Sequence, residues 1–423
     1  MKVALFTFGC KLNFSETSTI SRSFTEHGFN VVDFNSKADI YIINSCSVTE
    51  NADKECKKIV KKIKTKNPKS IIGIIGCYAQ LKPKEISKIE GVNIVLDAKE
   101  KFNIAKHVTT ILKNNENIYI KSNIKNSNIF NSAFSLNERT RSFLKIQDGC
   151  DYKCSYCTIP LARGNSRSDS VKNIIQNINK ILDSKIKEIV LTGVNIGDYK
   201  YKSYNFYKLL KEIEQIKRSF RIRISSIEPN LLTEEIIKLI ANSKKIAHHF
   251  HLPLQSGSDT ILKKMQRRYK TQLYENKIKT IKKYLPDCCI GADVIVGFPF
   301  ENEALFLETY NFIKNSQISY LHVFSYSERK NTKSEHLKEK QNPKTIKTRS
   351  KMLRILSEKL KRKFYEDNAG KTKEVLFERK NKNGSILGIT DNYIKIEAKY
   401  NKKLENKIIN YKLENINSKQ IFA

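Results

Sequence analysis

The chain of 423 residues carries 78 Lys and Arg against 43 Asp and Glu, a formal charge of +35, with 39% hydrophobic and 29% charged residues. That length suits two or three domains, each with its own core. No apolar run approaches the roughly 18 residues of a membrane span, which argues against a helical membrane protein.

The first residues, Met1 to Cys10, read as a strand and not as a signal peptide. Nine cysteines in such a chain point to metal or redox chemistry in a reducing cytoplasm rather than to disulfides. The positive charge suits a polyanionic partner, most simply nucleic acid. Lys far outnumbers Arg, and Asn and Ile abound, so part of that charge reads as compositional.

Short apolar runs predict strands at Val3–Phe8, Ile40–Ile43, Ile71–Ile75 and Ile94–Leu96. Amphipathic stretches predict helices at Glu16–His27 and Asp53–Lys66. The alternation argues for a doubly wound parallel sheet over residues 1–110. Cys10, Cys46 and Cys77 each follow a predicted strand. The C-terminal ends of parallel strands share one edge, where ligands bind, so these three thiols should converge. The competing reading is three unrelated buried thiols. Cys56 falls inside a helix and is assigned no role. Residues 111–140, rich in Asn, Ser and Lys, read as a linker.

A second βα series occupies 141–369. A strand ends in Asp148-Gly149, and Cys150, Cys154 and Cys157 follow at CxxxCxxC spacing. Three thiolates on one loop can hold three irons of a 4Fe-4S cluster and leave the fourth open to a substrate. A zinc site would want a fourth Cys or His at suitable spacing, and none follows. Further strands at Glu188–Thr192, Phe220–Ser225, His249–His251, Ile290–Val296 and Tyr320–Ser325, with helices between, predict a (βα)6 partial TIM barrel whose functional residues lie after the strands. Thr192, Gly193, Asn195, Ser225, Ser226, Glu228 and Gln255 stand at those ends and could bind a polar cofactor. His249 and His251 alternate onto one face and read as packing or substrate contacts, beside His248; Cys288 and Cys289 read as core.

A Lys-rich helix over Pro343–Asn368 leads to a segment, 370–423, of short strands with polar turns, which predicts a small C-terminal β-barrel. From Lys371 onward, twelve basic against six acidic residues make it basic by six charges. Such modules bind RNA, with Phe377 and Tyr393 as stacking surfaces; the alternative is a structural cap.

Taken together, Gly9-Cys10-Lys11-Leu12-Asn13, Asn44-Ser45-Cys46-Ser47-Val48-Thr49, Gly76-Cys77-Tyr78-Ala79-Gln80, the loop Gly149–Cys157 with Thr158 to Ser168, Pro253–Ser258 and Asp293–Pro299 resemble the radical S-adenosylmethionine methylthiotransferases over essentially the whole chain. Gly-Cys-Lys-Leu-Asn with Lys145-Ile-Gln-Asp-Gly-Cys150 most resembles the bacterial branch acting on threonylcarbamoyladenosine in tRNA. One departure is Phe300, where the family usually has Gly.

The resemblance implies two 4Fe-4S clusters, one on Cys150, Cys154 and Cys157 and one on Cys10, Cys46 and Cys77. S-adenosylmethionine on the first would give a 5′-deoxyadenosyl radical that takes hydrogen from C2 of the adenine at tRNA position 37. The second would supply or carry the sulfur. It further implies a TRAM-like C-terminal domain, a tRNA anticodon stem-loop as partner, a reductant such as flavodoxin or ferredoxin, no membrane, a monomer and a cytoplasmic location. The competing readings are the same chemistry on isopentenyladenosine or on a ribosomal protein, or a non-catalytic iron–sulfur protein that binds RNA.

Overall fold

A computed structural model describes residues 1–47, 50–114, 116–124, 129–136, 140–381, 384–417 and 421–422. Val48 and Thr49 of the Asn44–Thr49 motif, and residues 115, 125–128 and 137–139 of the expected linker, lie outside the described residues.

The N-terminal sheet runs Asn30–Val32, Lys2–Thr7, Ile40–Ser45, Ile71–Gly76, Ile94–Leu96, Ile118–Ile120, every neighbour parallel. Alternation in the central strands sends side chains to both faces. Tyr41, Ile43, Ile72 and Ile74 pack with Val60 of helix Glu50–Lys66. Ile40 and Ile42 pack on the other face with Ile20, Phe24 and Val108 of helices Lys11–Glu26 and Ile104–Asn114. The sheet is therefore wound on both faces.

The first helix starts five residues before the expected Glu16, because Cys10 stands extended at its N-cap without any side-chain capping bond to announce it. The expected linker is only partly irregular. Ile118–Ile120 adds the last strand of the first sheet, and Ala133–Phe134 pairs antiparallel with Arg141–Lys145. Strands of two or three residues are too short for periodicity to reveal.

In the second region Arg141–Lys145, Glu188–Thr192 and Arg221–Ile224 form one parallel ladder. His249–His251, Cys289–Val296 and Tyr320–Ser325 form another. Parallel bridges Ile222 to Ile246 and Ser226 to His251 join the two in chain order. The helices between are started by side-chain caps: Ser170, Asn205, Thr233 and Asn302 each accept from a backbone N–H three residues on. Leu144, Leu191, Ile222, Phe250, Ala292 and Leu321 point outward into the main core. Their strand neighbours Glu188, Arg223, His251, Asp293 and His322 take the opposite, inner face.

The C-terminal segment is an antiparallel sheet in the order Lys395–Lys399, Ser385–Thr390, Thr372–Lys380, Ile408–Lys412. No ladder joins its outer strands among the described residues, so the expected closed barrel is here a four-stranded sheet. It docks on the inner strands: Arg221 donates to the Glu374 and Ile389 carbonyls, and Arg223 to those of Thr390 and Asp391. Burial in the C-terminal core takes away one expected stacking surface, and docking engages the other. Phe377 is wholly buried in the core, and the Tyr393 ring lies on His249 at 4.2 Å with Arg223 at 5.2 Å.

Candidate functional site

Ladder register brings the N-terminal cysteines together. Ser45 pairs with Gly76, so the residues that follow, Cys46 and Cys77, leave adjacent strands side by side. Thr7 pairs with Asn44, and the chain turns through Gly9 to Cys10. A methyl group on Gly9 would lie 2.9 Å from Cys46 Sγ, and Gly9 has φ +88°, so only glycine lets Cys10 and Cys46 approach. Gly76, at φ +94°, is pressed against the Ser45 backbone just before Cys77. The thiols run from exposed Cys10 through half-buried Cys46 to buried Cys77. Burial pushes the Cys77 thiol up, and Cys10 lies near enough to add to that rise.

The CxxxCxxC loop closes on itself. Cys150 N–H donates to the Gly164 carbonyl at 3.0 Å and Cys157 N–H to the Cys154 carbonyl at 3.1 Å. All three thiols are half-buried. Desolvation, with the neighbouring thiols, pushes Cys150 and Cys157 up to about 12. A metal that takes them as thiolates must displace protons. Arg267, absent from the sequence-based candidates, donates to Cys154 Sγ at 3.3 Å and to the Glu228 carboxylate. Burial raises the Glu228 pKa against that guanidinium. Cys157, Tyr156, Thr158, Gln255, Asp293 and Tyr326 line a cavity of about 250 Å³.

The strand-end residues divide into two groups. Asn195, Ser225 and Gln255 each hold buried polar side-chain atoms without a hydrogen-bond partner among the described residues, as expected where a polar ligand completes the site. Gln255 also holds φ +63°, a strained conformation at the cavity wall. Thr192, in contrast, spends its hydroxyl on the Leu144 carbonyl at 2.9 Å. Gly193 leaves room for Gln147, whose Oε1 would lie 2.9 Å from an added methyl and accepts from Asn195 N–H. Ser226 is half-buried and joins the bridge to His251. Three thiols on one loop beside unpartnered amide and hydroxyl groups are a donor set that fits an iron–sulfur cluster with a polar cofactor.

The two cysteine sites meet. Helix Cys77–Leu81 packs on helix Ile159–Arg163, which follows Cys157. Between them lies a buried ion network that spacing could not show, because its members come from separate elements. Glu16 pairs with Arg163 at 3.1 Å, Lys145 at 3.1 Å and Lys101 at 2.6 Å. Asp148 pairs with Arg163 at 2.9 Å and Arg167 at 3.2 Å. On the other side Arg329 donates to Ser47 and Asp53, tying the stretch after Cys46 to the loop beyond the last inner strand.

His251, Asp293 and His322 bring ligand atoms within 4.8 Å of one another and could hold a metal, but Asp293 already bonds both rings, at 2.9 and 3.4 Å. His249 bonds Tyr320 at 3.0 Å, and His248 lies 3.4 Å from Asp391. Cys56, Cys288 and Cys289 are buried packing groups, with the thiols of Cys56 and Cys289 pushed up to about 12 by desolvation.

Comparison with known proteins adds to this geometry. Residues 2–97 match a family model described as Uncharacterized protein family UPF0004, and 144–313 match the Radical SAM superfamily. The threonylcarbamoyladenosine tRNA methylthiotransferase MtaB of Bacillus subtilis is 37% identical over 97% of this chain and 93% of its own length. The protein of that name from Aquifex aeolicus is 39% identical over 94% and 96%. In fold, the chain resembles the radical S-adenosylmethionine methyltransferase TsrM from Kitasatospora setae, with TM-score 0.57 and 12% identity over 77% of this chain and 74% of that one.

Proposed function

We propose that this chain, which belongs to the radical S-adenosylmethionine methylthiotransferases, attaches a methylthio group to C2 of N6-threonylcarbamoyladenosine in tRNA. The threonylcarbamoyladenosine enzymes that match it from end to end support this substrate. The observation that carries the chemistry is the packing of helix Cys77–Leu81 on helix Ile159–Arg163, which sets two three-cysteine sites against one another.

Cys150, Cys154 and Cys157 would hold a 4Fe-4S cluster, with Asn195, Ser225, Gln255, Glu228 and the backbone at Gly193 receiving S-adenosylmethionine. Cys10, Cys46 and Cys77 would hold a second. Once bound, these groups supply the radical that removes hydrogen from C2 and the sulfur that replaces it. The protein's own part is position and dryness. Arg267 holds Cys154 and Glu228 in one orientation. The Glu16–Arg163–Asp148 network fixes the spacing of the two sites.

The six parallel inner strands serve as an open (βα)6 barrel, and the basic C-terminal sheet as a TRAM-like surface for the anticodon stem-loop. A small reductant such as flavodoxin or ferredoxin supplies electrons to a monomer in the cytoplasm.

Anaerobic reconstitution tests the reading. It is supported by about eight irons per chain, half of them lost when Cys10, Cys46 and Cys77 become Ala, with reductive formation of 5′-deoxyadenosine. Zinc alone with no cleavage would overturn it.

A further inference from the structure

Lys11 stands next to Cys10 and begins the helix that packs on Arg141–Lys145, the first inner strand. Phe14 of that helix meets Phe143 edge-on at 5.5 Å, while Asn13 and Glu16 take Arg163. Lys11 is exposed, and among the described residues it makes no hydrogen bond or ion pair. It lies near enough to Cys10, Arg141, Arg223 and Asp293 to feel their charges.

Three of these neighbours, Arg141, Arg223 and Asp293, are otherwise engaged. Arg141 and Arg223 face Glu188, and Asp293 bonds His251 and His322. Asp293 also lines the cavity that contains Cys157. A cation is thus left unmatched next to Cys10, exposed and open to an anionic partner. The cations beside Cys77 are committed: Arg163 and Lys101 both bind Glu16.

We propose that Lys11 is a specificity-determining residue that binds the carboxylate of the threonyl group on the substrate base. This rests on the threonylcarbamoyladenosine reading. In that base the ureido N–H folds onto N1 of the adenine, so the threonyl carboxylate projects from the edge that includes C2. Whatever holds the carboxylate must then sit beside the group that delivers sulfur to C2. Lys11, adjoining Cys10, does so. A bound base with a hydrocarbon group at N6 would cover the ammonium without offering it a partner and be disfavoured on that account.

The test compares two anticodon stem-loops on the reconstituted enzyme, one with threonylcarbamoyladenosine and one with its neutral threoninamide counterpart. KM is measured along with equilibrium binding by fluorescence anisotropy, which needs no turnover. The native enzyme should favour the carboxylate about tenfold or more in both. Lys11→Met should bring that ratio close to one, and Lys11→Arg, which keeps the charge and controls for folding, should preserve it. A Lys11→Met enzyme that still favours the carboxylate as the native one does overturns the role of Lys11 and leaves the substrate reading intact. A native enzyme that modifies neither stem-loop overturns both.

Discussion

Arg163 Nη2 donates to Asn13 Oδ1 at 2.6 Å, joining the helix after Cys157 to the helix after Cys10. Asn13 in turn donates to the carbonyls of Phe8 at 2.9 Å and Ser45 at 3.1 Å, just before Cys10 and Cys46. One guanidinium therefore reaches both cysteine sites through a single amide.

Replacing Arg163 should be costly. Arg163→Met leaves the buried Glu16 and Asp148 short of a partner, for a loss of about 3 kcal/mol, with Lys101 and Lys145 limiting the damage at Glu16. Arg163→Lys should recover little, because one ammonium cannot serve Asn13, Glu16 and Asp148 together. Thermal denaturation checks both; a native-like midpoint for the Met variant would contradict the bridging role.

The unpartnered side chains at the strand ends call for the opposite behaviour. Asn195→Ala and Ser225→Ala remove atoms that bond nothing among the described residues, so stability should move by less than about 1 kcal/mol. Affinity for S-adenosylmethionine, measured by calorimetry on the reconstituted enzyme, should fall about tenfold for each. Destabilisation with unchanged affinity would make them structural.

Acid should loosen the docking of the C-terminal sheet. Burial alone would raise the Glu188 carboxyl, but Arg221 and Arg223 hold it well below the ordinary range. A depressed pKa means the stabilisation is complete above the unfolded value, about 4.3, and is lost as pH falls below it. Since Arg221 and Arg223 also bind the carbonyls at 374 and 389–391, that loss should appear at this interface first. Glu188→Gln should be less stable at neutral pH by about 3 kcal/mol and show a flatter acid limb. Denaturation midpoints across pH for both proteins measure the difference; parallel curves would sink the assignment.

Phe300 holds φ +73°, where glycine is at ease and a side chain is strained. Lys264 Nζ sits 3.6 Å over its ring, which offsets part of that cost. Phe300→Ala loses the ring and keeps the strain, whereas Phe300→Gly loses both. The Gly variant should therefore be the more stable of the two by about 1 kcal/mol, as read from denaturant midpoints.

The cysteine sites were legible because their cues are local. CxxxCxxC needs only a loop, and Cys10, Cys46 and Cys77 share one topological position that strand alternation exposes. The same rule pointed to Asn195, Ser225 and Gln255, whose buried polar atoms find no partner among the described residues, and equally to Thr192, whose hydroxyl binds a neighbouring strand. The connections between sites were not legible. Glu16, Lys101, Lys145, Asp148 and Arg163 lie far apart in the chain and resemble any solvated charges until folded. Arg267 gave no sign of meeting Cys154. Phe377 looked like a surface aromatic because nothing in its strand announced what would cover it.

The most direct measurement is mass spectrometry of tRNA nucleosides from cells that lack this chain, and from the same cells supplied with it or with its Cys10→Ala variant. The 2-methylthio form of threonylcarbamoyladenosine should vanish without the protein, return with the native chain and stay absent with the variant. If threonylcarbamoyladenosine keeps its methylthio group when the protein is missing, the substrate assigned to this site is wrong.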